Sequence, residues 1–153
     1  MAIFITGGTG FIGRKLIERL SLEDEVLHLL VRSQSSIANL ERKEKIRFFY
    51  GDVTDENSVL EGMKGCDKVY HLAAYARNWS FDKNQYYKVN VRGAVNVFES
   101  ALKNRVKKIV FTSSCVTLGP SQDRALTEKD WRKRNHFYTE YEKSKYLAEL
   151  EAL

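Results

Sequence analysis

The chain opens on a short apolar run, Ala2-Ile3-Phe4-Ile5, that passes directly into Thr6-Gly7-Gly8-Thr9-Gly10-Phe11-Ile12-Gly13. An unbroken apolar run stopped by glycine predicts a strand covered on both faces. After the glycines, Phe11, Ile12, Leu16, Ile17 and Leu20 follow a helical pattern, so the first unit reads as strand, tight turn and helix. Apolar runs at 25–31, 45–50, 68–72 and 108–112 predict four more strands. Between them, a polar stretch over 34–44 carrying Ile37, Ala38 and Leu40 is compatible with a helix, and a second helix starts at Thr54 or Asp55 and runs through Leu60. Tyr86, Val89, Asn90, Gly93, Val97 and Ala101 predict a long helix over 83–104, with the small Gly93 where it presses on the sheet. A last helix is predicted over 138–153, with Tyr141, Lys145 and Ala148 on one side. Strands alternating with helices place the chain in the α/β class, with a doubly wound parallel sheet.

In such sheets ligands bind outside the carboxyl ends of the strands, so the residues that follow each strand carry the candidate chemistry. Glycine turns the chain at Gly7, admits an anion to backbone N–H groups at Gly10 and lets the helix lie close to the strand at Gly13. The helix that opens near Phe11 and Ile12 presents unpaired N–H donors and a positive dipole end, a seat for a diphosphate. A hydrogen bond to a charged group contributes roughly 1.5–3 kcal/mol, so two or three such donors hold a phosphate firmly. The glycines are spaced by three and three rather than in the tighter G-x-G-x-x-G form, and a glycine-rich turn without a ligand is the competing reading of this stretch alone. About twenty residues on, Arg32 stands at the tip of the second strand, where an acidic residue would bind a free ribose hydroxyl. Arginine pairs instead with a 2′-phosphate and stacks on adenine, which favours NADP over NAD; a solvated loop arginine is the alternative. After the third strand, Asp52 and Val53 are placed to flank an adenine, with Asp52 accepting from its amino group, while Thr54 or Asp55 caps the next helix. Leu72 closes the fourth strand and is followed by Ala73 and Ala74, small residues that permit close approach by a cofactor; all three are candidate cofactor contacts. Within the turn, Thr9 completes the set Gly7, Gly10, Phe11, Ile12 and Gly13.

The fifth strand runs into Ser113-Ser114-Cys115, and the last helix places Tyr141 and Lys145 at i and i+4, on one face. A free tyrosine titrates near pH 10, and a neighbouring lysine favours its phenolate. Lowering that value by about three units takes roughly 4 kcal/mol, within reach of a close cation joined by a positively charged nicotinamide. Ser114 is placed to donate a hydrogen bond to a substrate carbonyl while the tyrosine exchanges the proton. Surface tyrosine and lysine at this spacing are common, and the pair gains weight only from following the fifth strand of a dinucleotide-type pattern.

At 153 residues the chain is long enough for one domain with a sizeable core. The 25 basic residues against 20 acidic ones are spread along the sequence, without the basic blocks or interleaved aromatics of a nucleic-acid binder. Cys66 and Cys115 are too few for a disulfide framework or a metal site; both adjoin apolar runs and are expected to be buried, reduced thiols of a cytoplasmic protein. The first apolar run is too short for a signal peptide or a membrane span. His28, inside the second strand, reads as a satisfied core histidine.

Taken in order, Thr6 to Gly13, Gly51-Asp52-Val53-Thr54-Asp55, His71-Leu72-Ala73-Ala74, Asn90-Val91-Arg92-Gly93, Thr112-Ser113-Ser114 and Tyr141-Glu142-Lys143-Ser144-Lys145 resemble the motifs of extended short-chain dehydrogenases/reductases. The resemblance covers almost the whole chain and implies a Rossmann-type domain with Tyr141 as general acid/base, Lys145 on the nicotinamide ribose and Ser114 orienting the substrate oxygen. Asn90 matches a position that supports a proton relay in the broader family; a structural role inside the helix is the alternative. Arg32, Thr127-Glu128 and Trp131 look more like the dihydroflavonol-reductase branch than the sugar epimerases. The expected activity is NADP-dependent reduction of a carbonyl, or oxidation of a secondary alcohol, in a small molecule. The alternatives are a nucleotide-sugar epimerase or dehydratase with retained NAD, and a dinucleotide-binding module without turnover. Members of this family run to about twice this length, and the last helix reaches Leu153 without a stop signal. The chain is therefore expected to be a fragment, residues 1–153 forming the NADP domain without the C-terminal strands and substrate lobe. Trp79, Phe81, Trp131, His136 and Phe137 are candidates for the substrate pocket, and homodimerisation through 83–104 and the last helix is what the family suggests.

Overall fold

The computed structural model describes residues 1–33, 37, 40, 43–77, 79–121, 123–132 and 136–153. Five strands form where the apolar runs predict them: β1 (Ala2–Thr6), β2 (Val26–Val31), β3 (Ile46–Tyr50), β4 (Lys68–His71) and β5 (Lys108–Phe111). They make one sheet of order β3-β2-β1-β4-β5, and every pairing is parallel. The chain builds outward from β1 to β3, then crosses back to lay β4 against the other side of β1. That reversal opens a crevice at the carboxyl ends of β1 and β4.

Side-chain alternation along β1 divides the core into two layers. Ile3 and Ile5 pack with Ile17, Leu27, Leu29 and Val31 on one face, while Phe4 packs with Leu30, Val59, Met63, Val69 and Val97 on the other. Register brings Ile3 beside Leu27, Ile5 beside Leu29 and Phe4 beside Val69. Both faces are covered, which is why these strands read as continuous apolar runs rather than alternating ones. β5 is an edge strand, with Lys108, Ile109 and Val110 exposed.

The helices are α1 (Phe11–Leu20), α2 (Glu56–Gly62), α3 (Asn84–Tyr86), α4 (Gly93–Lys103) and α5 (Glu140–Leu150). Asp55, not Thr54, caps α2, its side chain accepting from the Asn57 N–H at 3.1 Å. Thr139 caps α5, so that helix begins two residues later than the pattern predicts. The long helix expected over 83–104 is interrupted: α3 and α4 are joined by a π-helical stretch, Tyr87–Arg92, that holds Asn90 inward. Gly93 faces Val53, whose Cγ2 would lie 2.8 Å from an added Cβ, so the small residue admits the segment after β3 rather than a strand. The helix expected over 34–44 falls largely outside the described residues; Lys43–Lys45 forms a 3-10 turn. Another short 3-10 turn, Cys115–Leu118, opens the loop after β5. No helix among the described residues is long and apolar enough to cross a membrane.

His28 is the satisfied core histidine expected, its Nδ1 lying 2.8 Å from the Gly62 carbonyl and 3.3 Å from Cys66 Sγ. Burial pushes the Cys66 thiol up to about 12. Cys115 departs from expectation: it begins the turn that leaves β5 and is exposed.

His71, at the end of β4, is buried between Phe111, stacked at 5.5 Å, and the edge of Phe98. Its Nδ1 lies 2.6 Å from Thr6 Oγ1, and its Nε2 has no hydrogen-bond partner among the described residues. Burial, reinforced by the charge of Lys145, pushes its pKa down to about 3. The unfolded chain binds this proton near pH 6.5 and the folded one refuses it until about 3, so stability is lost as pH falls through that window. Urea unfolding at pH 5 is expected to show about 2 kcal/mol less stability from this group than at pH 7. His71→Gln should remove that part of the slope; an unchanged slope would contradict the assignment.

Candidate active site

The site begins at the glycine turn. Gly7 takes a φ of 72°, in the left-handed region, and an added Cβ would lie 2.5 Å from the Ala73 nitrogen. Glycine here lets the turn after β1 touch the chain leaving β4. Gly10 N donates to the Gly7 carbonyl at 3.0 Å. A Cβ on Gly13 would lie 2.5 Å from Gly8 Cα, so Gly13 seats α1 on the glycine turn itself rather than on a strand. Gly10 caps α1 without a side chain, and the first turn carries no acidic residue. Arg14 N reaches the Gly10 carbonyl at 3.0 Å, while the N–H groups of Phe11, Ile12 and Gly13 are those that helix geometry leaves free for an anion.

From this turn a cleft of ≈ 680 Å³ runs along the carboxyl ends of β1, β2, β3 and β4. Of the residues singled out from sequence, Gly7, Thr9, Gly10, Arg32, Asp52, Val53, Leu72, Ala73 and Ala74 all line it. Arg32 is exposed within it. Asp52 Oδ1 accepts from Thr54 N at 3.0 Å and from Thr54 Oγ1 at 2.9 Å, which fixes the bend after β3. Thr6, Tyr75, Ala76, Arg77 and Val89 also line the cleft, beyond the contacts expected from sequence. The signal for Tyr75 to Arg77 was their place directly after β4; Val89 comes from the π-helical stretch, which sequence periodicity did not show. Thr6 Oγ1 accepts from Ala73 N at 3.3 Å and so ties the two central strand ends together.

Asn90 is 2% exposed and joins this cleft to α5. Its Oδ1 accepts from Tyr75 N at 2.7 Å, and its Nδ2 donates to the Tyr75 carbonyl at 3.3 Å and to Ser144 Oγ at 2.8 Å. Ser144 Oγ in turn donates to the Tyr141 carbonyl at 2.8 Å. Lys145 is 2% exposed; its Nζ donates to the Thr112 carbonyl at 2.8 Å and lies 4.4 Å from the centre of the Phe111 ring. Burial pushes its pKa down to about 8 against the opposing pull of Glu149. Ser113 Oγ donates to Glu149 Oε2 at 2.8 Å, whereas Ser114 binds Thr117 through its carbonyl.

Tyr141 is half-buried, one turn before Lys145. The structure thus joins Asn90, Ser144 and Tyr141 in one chain of contacts and sets Lys145 against the end of β5 beside the serines. Ser114 opens onto a separate cavity of ≈ 470 Å³ with Leu118, Trp131, Tyr146 and Glu149, not onto the glycine cleft. The five aromatic and histidine candidates do not form one pocket. Trp131 lines the Ser114 cavity, while Trp79, His136 and Phe137 line another of ≈ 460 Å³. Phe81 is 93% exposed and packs edge-on against Trp79 at 4.3 Å.

An uncapped helix start free of carboxylates, whose cap residue Gly10 lines the same large cleft as Arg32, fits an elongated anionic ligand such as a dinucleotide. Comparison with known proteins agrees. The chain is 34% identical to dihydroflavonol 4-reductase of Solanum lycopersicum over 168 residues, covering 99% of this chain and 44% of that protein. It is 31% identical to UDP-glucose 4-epimerase of Rickettsia canadensis over 142 residues, covering 83% of this chain and 41% of that protein. It therefore spans less than half the length of these relatives. Its fold is that of the dTDP-glucose 4,6-dehydratase of Streptomyces venezuelae solved with NAD, at a TM-score of 0.86 and 22% identity, covering 99% of this chain and 50% of that one. Residues 3–153 match the family described as NAD dependent epimerase/dehydratase, and the chain belongs to that family.

Proposed function

We propose that residues 1–153 are the cofactor-binding and proton-transfer part of an NADP-dependent oxidoreductase that interconverts a carbonyl and a secondary alcohol in a small molecule. The observation that carries this reading is one cleft lined both by the glycine turn, at Gly7, Thr9 and Gly10, and by Arg32. The N–H groups of Phe11, Ile12 and Gly13 hold the diphosphate, and Arg32 pairs with the 2′-phosphate. Asp52 and Val53 flank the adenine, and Leu72, Ala73 and Ala74 admit the rest of the molecule close to the strand ends. A bound nicotinamide supplies or accepts the hydride.

Ser114 donates a hydrogen bond to the substrate oxygen, and the Tyr141 phenol gives or takes the proton at that oxygen. Lys145, on the same helix face, supplies the positive charge against which the phenolate forms. Asn90 braces the arrangement rather than relaying protons, because three of its amide's four hydrogen-bonding positions are already used by Tyr75 and Ser144. The likeness to UDP-glucose 4-epimerase favours a second reading, in which a retained NAD takes the hydride and returns it. Arg32 speaks against that reading, and NAD co-purifying tightly with the protein would speak for it. Two free cysteines suit the reducing cytoplasm.

Two measurements check this reading. In a fluorescence titration, NADPH should bind more tightly than NADH, and Arg32→Ala should cost about tenfold or more for NADPH and far less for NADH, as loss of one charge-assisted contact requires. Equal affinities in the parent would remove the argument from Arg32. Tyr141→Phe should abolish NADPH-linked carbonyl reduction in the longest form of the protein that turns over, with NADPH affinity within about twofold of the parent. Retained turnover would remove Tyr141 from the chemistry.

A further inference from the structure

Arg132 lies in a run of mostly exposed residues, yet its side chain is 3% exposed. Its Nη1 donates to the Val116 carbonyl at 3.2 Å and reaches the Thr117 carbonyl at 3.5 Å. Its Nη2 donates to the His136 carbonyl and, at 2.7 Å, to Glu142 Oε1. The guanidinium also stacks over Phe137 at 4.2 Å. Glu142, itself 7% exposed, accepts from Tyr138 N at 2.7 Å through its other oxygen.

A buried ion pair is an expensive way to hold a loop, because each charge must be stripped of water and an apolar pair of similar size is often as stable. A planar fork of donors offers what an apolar pair lacks, which is fixed direction toward several acceptors at once. Here those acceptors lie on two particular segments. Val116 and Thr117 belong to the 3-10 turn that starts directly after Ser114, and Glu142 adjoins Tyr141 in the first turn of α5. The same helix is also held by Ser144 to Asn90 and by Lys145 to Thr112. We propose that the Arg132–Glu142 clasp is a positioning device that sets Ser114 and Tyr141 relative to one another. The proposal rests on the roles assigned to those two residues above, and none of the clasp's partners lines the cofactor cleft.

The test separates positioning from stability. In Arg132→Met combined with Glu142→Gln both charges go, while the glutamine can still accept from Tyr138 N, so no buried charge is left unpaired and the urea midpoint should fall less than in Arg132→Met alone. Hydrogen exchange over 115–118 should nonetheless rise by about tenfold or more, and the ¹³Cζ resonance of Tyr141 should move, while NADPH affinity holds within about twofold. Parental exchange and an unmoved resonance would overturn the clasp. Should the double variant not fold, Arg132→Lys serves, since an ammonium cannot span the same acceptors; exchange over 115–118 should rise about threefold or more, and parental exchange would again overturn it. None of these readouts needs turnover. Retained activity in Tyr141→Phe would therefore sink the proposed chemistry without deciding the clasp, and parental exchange would sink the clasp without touching the chemistry.

Discussion

Where β1 and β4 end side by side, the backbone of Gly7 meets that of Ala73 so closely that a Cβ on Gly7 would lie 2.5 Å from the Ala73 nitrogen. Thr6 Oγ1, shared between Ala73 N and His71, locks the same two strand ends from the side. The contact needs a left-handed residue with no side chain, and it falls at the point where the strand order reverses. The cleft, the free helix start of α1 and the approach of the loop after β4 all depend on it.

Away from the turn, the site is held by buried polar groups that reach backbone as well as one another. Asn90 takes both backbone groups of Tyr75, Lys145 takes the Thr112 carbonyl, and Arg132 takes three carbonyls as well as a carboxylate. Backbone acceptors are fixed by the fold itself, so such bonds transmit the rigidity of the sheet to α5 and the loop before it. The satisfied bonds also offset the cost of burying these groups. His71 Nε2 is an exception, without a hydrogen-bond partner among the described residues, in the same buried place that depresses the pKa of the ring.

The strands, their order of appearance and most of the cleft were legible in the sequence because each rests on a local rule. Continuous apolar runs mark strands covered on both faces, and glycines after a strand mark the turn. The position of Arg32 follows from strand length. What escaped depends on contacts distant in sequence. The π-helical stretch exists around Asn90, whose partners Tyr75 and Ser144 are 15 and 54 residues away. Gly93 is small for Val53, a neighbour brought in by the crossover from β3. Cys115 adjoins an apolar run yet turns outward, because the strand ends four residues before it. The loop aromatics divide among separate cavities, and Arg132, one basic residue among many, is distinguished only by its burial against Glu142.

We propose that the uncapped start of α1 seats the diphosphate of a dinucleotide lying across the reversal of the sheet. Backbone amide chemical shifts recorded on titration with NADP⁺ test it most directly. The largest changes are expected at Gly10, Phe11, Ile12 and Gly13, with a second group at Arg32, Asp52 and Ala73. Saturable binding that leaves the amides of residues 10–13 unmoved would contradict it.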